Sequence, residues 1–243
     1  LTGGVGASLA LLGKQVLCLD GDVGLRNLDI SLGLSDRAFM DYTDVALGRC
    51  TLEEAAVAHP RIPRLHLLTA PSSLERGRIS KEQMTDLMDQ VRQRYDYCLL
   101  DCKPSLDLLT INALAAADSV LIPCQANYLS TKGLKLLLGS VAKVRRQINP
   151  LLKIDGILLT MVDSRTNNAK SIIAALRQTG RDLRVLNTEV PFSVRAAECS
   201  VEGKSIFAHD SKGKVAAAYT ALVKEVIALE QRNRNRPGAE RGL

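Results

Sequence analysis

Two short apolar runs in this chain end in acids. Leu17-Cys18-Leu19-Asp20-Gly21-Asp22 places two carboxylates at the end of a run that reads as a buried strand, and Tyr97-Cys98-Leu99-Leu100-Asp101 places a third at the end of another. Open α/β sheets bind ligands outside the carboxyl ends of their strands. Carboxylates there can hold Mg²⁺ through water and orient an attacking water, two of the tasks of phosphoryl transfer. They can equally cap the helix that follows each strand. A backbone cradle for phosphate is the third task, and Thr2-Gly3-Gly4-Val5-Gly6-Ala7-Ser8 looks at first like one, but Ala7 stands where a Walker loop needs lysine. Only Ala7 to Leu12 separate this segment from the Gly13-Lys14 turn, less than about two turns of helix, which is short for a crossover. The glycines are therefore expected inside a helix already under way. With Leu1 in place of an initiating Met, this leads to the expectation of an N-terminally truncated chain that lacks a strand and phosphate loop.

The elements that must position these acids follow from the hydrophobic pattern. Strand-like runs at Val16 to Asp20, Leu65 to Leu68, Tyr97 to Asp101, Ser119 to Pro123, Ile154 to Thr160 and Leu183 to Glu189 alternate with helical stretches near 51–58, 80–94, 108–116, 131–148, 167–179 and 212–231. The alternation predicts an α/β fold, a doubly wound and mainly parallel sheet with helices on both faces. Residues 1–230 read as one domain, and the Arg-rich segment 231–243, with Pro237 and Gly238, as a frayed tail.

Composition narrows the class. The chain has 243 residues, 46% of them hydrophobic, enough for a sizeable core, while Trp is absent and aromatics are only 3%. Leu, Val, Ile and Ala must build that core, which suits helices layered on a parallel sheet and argues against an aromatic-cored sandwich. Six cysteines without a CxxC pair read as reduced thiols, and no window of the sequence is apolar enough for a membrane span or laid out as a signal peptide, so a cytoplasmic location is expected. The net charge of +6 is concentrated in the tail, where four Arg and one Glu supply half of it, so charge alone is weak support for nucleic acid.

From Asp20 the chain resembles a known family. Leu19-Asp20-Gly21-Asp22-Val23-Gly24-Leu25-Arg26-Asn27-Leu28-Asp29, Gly48-Arg49-Cys50-Thr51-Leu52-Glu53-Glu54-Ala55 and Leu67-Leu68-Thr69-Ala70-Pro71 are similar to MinD. Beyond residue 100, Asp101-Cys102-Lys103-Pro104-Ser105-Leu106, Ala117-Asp118-Ser119-Val120-Leu121-Ile122-Pro123, Gly156 to Asn167 and Ser193-Val194-Arg195-Ala196-Ala197-Glu198 resemble ParA partition ATPases. The resemblance, to the MinD/ParA family of deviant-Walker P-loop ATPases, implies ATP and Mg²⁺ as cofactors. It implies that Asp22 positions the attacking water, that Asp20 and Asp101 serve the Mg²⁺ shell, and that Asp163 and Pro191 border the adenine. Lys103, where the family is usually apolar or proline, and Asp107, where Gly is common, depart from the pattern.

The same resemblance implies partners. In ParA relatives the arginines matching Arg165 and Arg195 contact DNA phosphates without reading sequence. The implied function is an ATP-dependent dimer switch for partition of a plasmid, chromosome or mobile element. It works on non-specific DNA, as a homodimer when ATP is bound, with an activating partner of ParB or MinE type, in association with the nucleoid. Phe192, at a site often basic in ParA, is a departure. A MinD-like division-site role is one alternative, although the segment Gln231 to Leu243 carries no bulky apolar residue before Leu243 and so does not form an amphipathic membrane helix. A non-catalytic pseudo-ATPase or fragment that binds partners is the other.

Overall fold

A computed structural model describes residues 1–23, 27–73, 79–103, 107–125, 128–163, 167–179 and 183–234. Helix α1 (Thr2–Leu11) leads into β1 (Val16–Asp20), followed by α2 (Asn27–Leu32), α3 (Tyr42–Ala46), α4 (Leu52–Ala55), β2 (Val57–Ala58) and β3 (Leu65–Leu68). Then come α5 (Lys81–Arg92), β4 (Tyr97–Asp101), α6 (Leu108–Ala116), β5 (Ser119–Gln125), α7 (Tyr128–Gln147), β6 (Lys153–Val162), α8 (Asn167–Thr179) and β7 (Val185–Pro191). The chain closes with α9 (Val194–Glu202), α10 (Ile206–His209) and α11 (Lys214–Arg234).

The strands form the expected parallel-dominated architecture, divided among the described residues into two sheets. The first has the order β2-β3-β1-β4 and the second β5-β6-β7. Among the described residues only β2 runs antiparallel to its neighbour, β3; every other pairing there is parallel. Strand β1 is buried on both sides, as a parallel strand flanked by helices must be. Its alternation sends Leu17 and Leu19 into a core with Tyr42, Met84, Leu87 and Val91, and Val16 and Cys18 into the opposite core. That second core also takes Leu158 of β6, Leu186 of β7 and Leu222 of α11, so one apolar layer is continuous beneath both sheets.

The glycine-rich segment is helical, as its spacing requires, and packing explains its composition. Helix α1 lies so close to its neighbours that a Cβ on Gly4 would stand 2.5 Å from the Tyr219 ring, and one on Gly6 2.5 Å from the Cys18 sulfur. The residues 51–58, expected as one helix, are not. A Thr51–Glu54 capping box starts α4, but Ala56 turns to an extended conformation, and Val57 and Ala58 pair with Leu67 and His66 along the edge of β3. Backbone hydrogen bonds to an open strand edge outweigh one more turn of a four-residue helix. At the other end α11 runs to Arg234, so 231–234, read as the start of a tail, are helical, while 235–243 lie outside the described residues. The three cysteines Cys18, Cys124 and Cys199 are buried, Cys102 is exposed, and all six thiols are free.

The tight seat of α1 gives a stability prediction. Gly6→Ala should lower unfolding free energy by about 1–3 kcal/mol through overpacking against Cys18, although alanine favours helix by about 1 kcal/mol. Gly139→Ala, on α7 where an added Cβ meets nothing within 4 Å, should instead stabilise. Urea unfolding of both variants checks the sign; equal effects at the two positions would contradict the packing account.

Candidate nucleotide site at the strand ends

The acids picked out by sequence meet at one end of the first sheet. In the parallel register of β1 and β4, Asp20 lies opposite Asp101. Each side chain leaves the last residue of an apolar strand, β1 buried and β4 half-buried, so register alone brings them together. The turn after β1 is then drawn onto β4: the Gly21 N–H donates to the Asp101 carbonyl at 2.8 Å, and a Cβ at Gly21 would stand 2.5 Å from that oxygen. Glycine is what this approach admits.

Each acid has a defined partner. Asp20 is fully buried, and its two oxygens accept the N–H groups of Asp22 at 2.8 Å and Leu28 at 3.2 Å. It thereby ties both ends of the turn after β1, the capping reading of this acid, while standing where a ligand site is expected. Asp101 accepts the Thr2 hydroxyl at 2.8 Å from the first turn of α1. Asp22 is largely buried on the turn beyond β1, with the Lys103 ammonium 3.0 Å from its Oδ1. Asp107, the other departure from the family pattern, caps α6 by accepting the Thr110 N–H at 2.9 Å.

Thr2 was not visible as a site residue in the sequence; only its place at the start of a helix abutting a strand end could have signalled it. For Lys103 the signal was present, a cation two residues past a strand-end acid, but its target was not.

The cofactor expectation can be tested on donor chemistry. Among the described residues no three of His, Cys, Asp and Glu converge as a protein-built metal cage. Mg²⁺ rarely needs one, since it keeps several waters and takes one or two carboxylates together with substrate phosphates. The Asp101 carboxylate beside the Thr2 hydroxyl, with Asp20 opposite, is a hard-oxygen set that fits that mode.

The remaining expected residues lie elsewhere. Val162 and Pro191 are register partners at the ends of β6 and β7, which places Asp163 and Pro191 side by side at the carboxyl end of the second sheet. Pro191 lines an open cleft of about 540 Å³ together with Thr188, Glu189, Lys214 and Ala217. Beside it, Phe192 N–H donates to the Val162 carbonyl at 3.1 Å, and Phe192 is 52% exposed. Arg195, on the first turn of α9, points largely to solvent but pairs with Asp210 at 3.1 Å. Arg165 lies outside the described residues.

Burial pushes the Asp20 carboxyl from an ordinary 3.8 up to about 6, with the Asp101 and Asp22 charges adding to the rise and the two backbone N–H donors opposing it. A folded-state pKa above the unfolded one means that the native state binds the extra proton. The stability it contributes is complete below pH 3.8 and is lost as pH rises through about 6. Between pH 4 and 7 the native chain should thus lose up to about 3 kcal/mol relative to Asp20→Asn, which cannot titrate. Thermal melts of the two proteins across that range check it; a difference that does not change with pH would refute the burial account.

Comparison with known proteins agrees with this geometry. A family profile described as an AAA domain matches residues 2–154. The sporulation initiation inhibitor protein Soj of Bacillus subtilis is 37% identical over 92% of this chain and 90% of its own length. The chromosome partitioning protein ParA of Caulobacter vibrioides is 32% identical over 93% of this chain and 88% of its own. Among solved structures, cobyrinic acid a,c-diamide synthase from Mycobacterium smegmatis with bound ATP analog and magnesium superposes with a TM-score of 0.80 at 26% identity, over 99% of this chain and 92% of that one. The cell division ATPase MinD of Pyrococcus furiosus gives 0.76 at 21% identity over 94% and 92%, a likeness of fold. Since the profile covers more than half of the chain and the matches to Soj and ParA continue through both of its halves, the chain belongs to the MinD/ParA family of P-loop ATPases.

Proposed function

We propose that this chain works as a ParA-type partition protein, switching with ATP between a monomer and a DNA-bound homodimer on the nucleoid. The observation that carries the reading is the in-register pair Asp20 and Asp101 at the ends of adjoining parallel strands, with Asp22 on the turn beyond. Relatives whose names denote sporulation inhibition and chromosome partitioning, matched along nine-tenths of the chain, support partition over the MinD-like alternative. No described helix is long and apolar enough to cross a membrane.

In this mechanism Asp101 and the Thr2 hydroxyl would hold Mg²⁺ from the protein side, and Asp20 fixes the turn that carries Asp22. The bound Mg²⁺ would supply charge neutralisation for the phosphates. Asp22 holds the attacking water by accepting its hydrogen bond. Asp163 and Pro191 border the base. Phosphate itself requires a cradle of backbone N–H groups and lysine, and the sequence 1–243 contains no Lys-Gly-Gly-x-Gly-Lys motif. A partner-binding module without turnover is the second reading.

Arg195 is well placed for a phosphate only after release from Asp210. Because Arg engages phosphate without reading bases, binding should be alike on unrelated duplexes and weaken as salt rises. An activating partner of ParB type would act on the dimer.

Two measurements test the proposal. The chain 1–243 should show no Mg²⁺-dependent ATP turnover, whereas the same chain with the family's strand and phosphate loop joined ahead of Leu1 should turn over ATP in a manner that Asp22→Ala abolishes. ATP-dependent dimers of the extended chain should bind two unrelated duplexes with equal affinity, reduced about tenfold or more by Arg165→Glu with Arg195→Glu. Binding to anionic vesicles together with unchanged DNA affinity in the double variant would reverse the order of the partition and division-site readings. No turnover in either chain would leave the binding module.

A further inference from the structure

Lys103 has no counterpart in the pattern that the rest of the strand-end site follows, yet it makes two contacts there. Its ammonium lies 3.0 Å from Asp22 Oδ1 and donates to the Val23 carbonyl at 2.9 Å. Asp22 Oδ1 is itself a buried atom without a well-directed hydrogen bond, so the ammonium charge is what compensates it. Both anchors belong to consecutive residues of the turn after β1, while Lys103 belongs to the loop after β4. The residue just before them is already bound to β4 through Gly21 N–H and the Asp101 carbonyl. A lysine left to solvent would keep its rotamer freedom; here the side chain is only 26% exposed and spans two loops.

We propose that Lys103 is a positioning residue: it latches the Asp22–Val23 turn onto the loop after β4 and sets the direction in which the Asp22 carboxylate points. Asp22 thus has an internal cation as its resting partner, and anything that needs this carboxylate must share it with Lys103. What Asp22 does once positioned rests on the ATPase reading above; the latch does not.

Hydrogen exchange on the nucleotide-free chain tests it. The amides of Asp22 and Leu28 both bond to Asp20 and so report whether the turn is held. Lys103→Met should speed exchange at these two amides about fivefold, as expected for loss of a partly buried ion pair and its hydrogen bond. Lys103→Arg should restore protection, because charge and reach are kept. Asp22→Asn, which removes the charge from the opposite side and keeps the shape, should give the same acceleration, and the double variant no more than either single one. Leu158 and Leu159, buried in β6 of the second sheet, should exchange alike in all variants and so separate a local effect from global unfolding.

If Lys103→Met does not fold, Asp22→Asn with its β6 control decides alone. Unchanged exchange at Asp22 and Leu28 in Asp22→Asn, or failure of Lys103→Arg to restore protection, would overturn the proposal. Because no nucleotide is present, this outcome is independent of whether the chain hydrolyses ATP.

Discussion

The parallel pairing of β1 with β4 is the constraint on which the site depends. Parallel strands end together, so the register that sets Cys18 beside Leu99 and Leu19 beside Leu100 also sets Asp20 beside Asp101. The pairing brings two carboxylates together, and burial then makes their charges costly. Two backbone N–H groups on Asp20 and a hydroxyl on Asp101 offset that cost. The Gly21 approach and the Lys103 contacts lie on the loops that this pairing draws together.

Helix α1 is the second dependency, because it serves both sheets. One face contacts Cys18 of β1, another meets Tyr219 of α11, and its first turn delivers Thr2 to Asp101. Glycines at positions 3, 4 and 6 are poor helix formers. Their presence is explained by distance: with side chains there, α1 could not lie close enough to carry Thr2 to the strand end. A segment that looks like a phosphate loop is thus a close-packed helix, and local propensity gives way to interhelical and helix–sheet packing.

The site as folded is closed upon itself. Asp20 is engaged by its own turn, Asp101 by Thr2 and Asp22 by Lys103. Such internal partners keep charges from being stranded in a low-dielectric setting, and each is a contact that a phosphate, a cation or a nucleic acid would have to share or displace. Phe192, just beyond the end of β7, adds exposed apolar surface at the start of the turn into α9.

The sequence by itself determined the class of fold and the address of the acids. Buried strands ending in acid are legible because a parallel strand must be apolar along its length and the first polar residue marks its end, which is why the runs at Val16 to Asp20 and Tyr97 to Asp101 match β1 and β4. The amphipathic stretch 80–94 matches α5 for a similar reason, since burial of Met84, Leu87, Met88 and Val91 on one face leaves a periodic trace. Short elements leave no such trace. Whether Val57 and Ala58 continue a helix or join β3 depended on the presence of an open edge, which is a property of the sheet. The division of the strands into two sheets, the meeting of Thr2 with Asp101 across 99 positions and the reach of Lys103 to Asp22 were likewise decided only by tertiary structure. These contacts join residues distant in the chain, and their energies come from geometry that no local pattern of residues encodes.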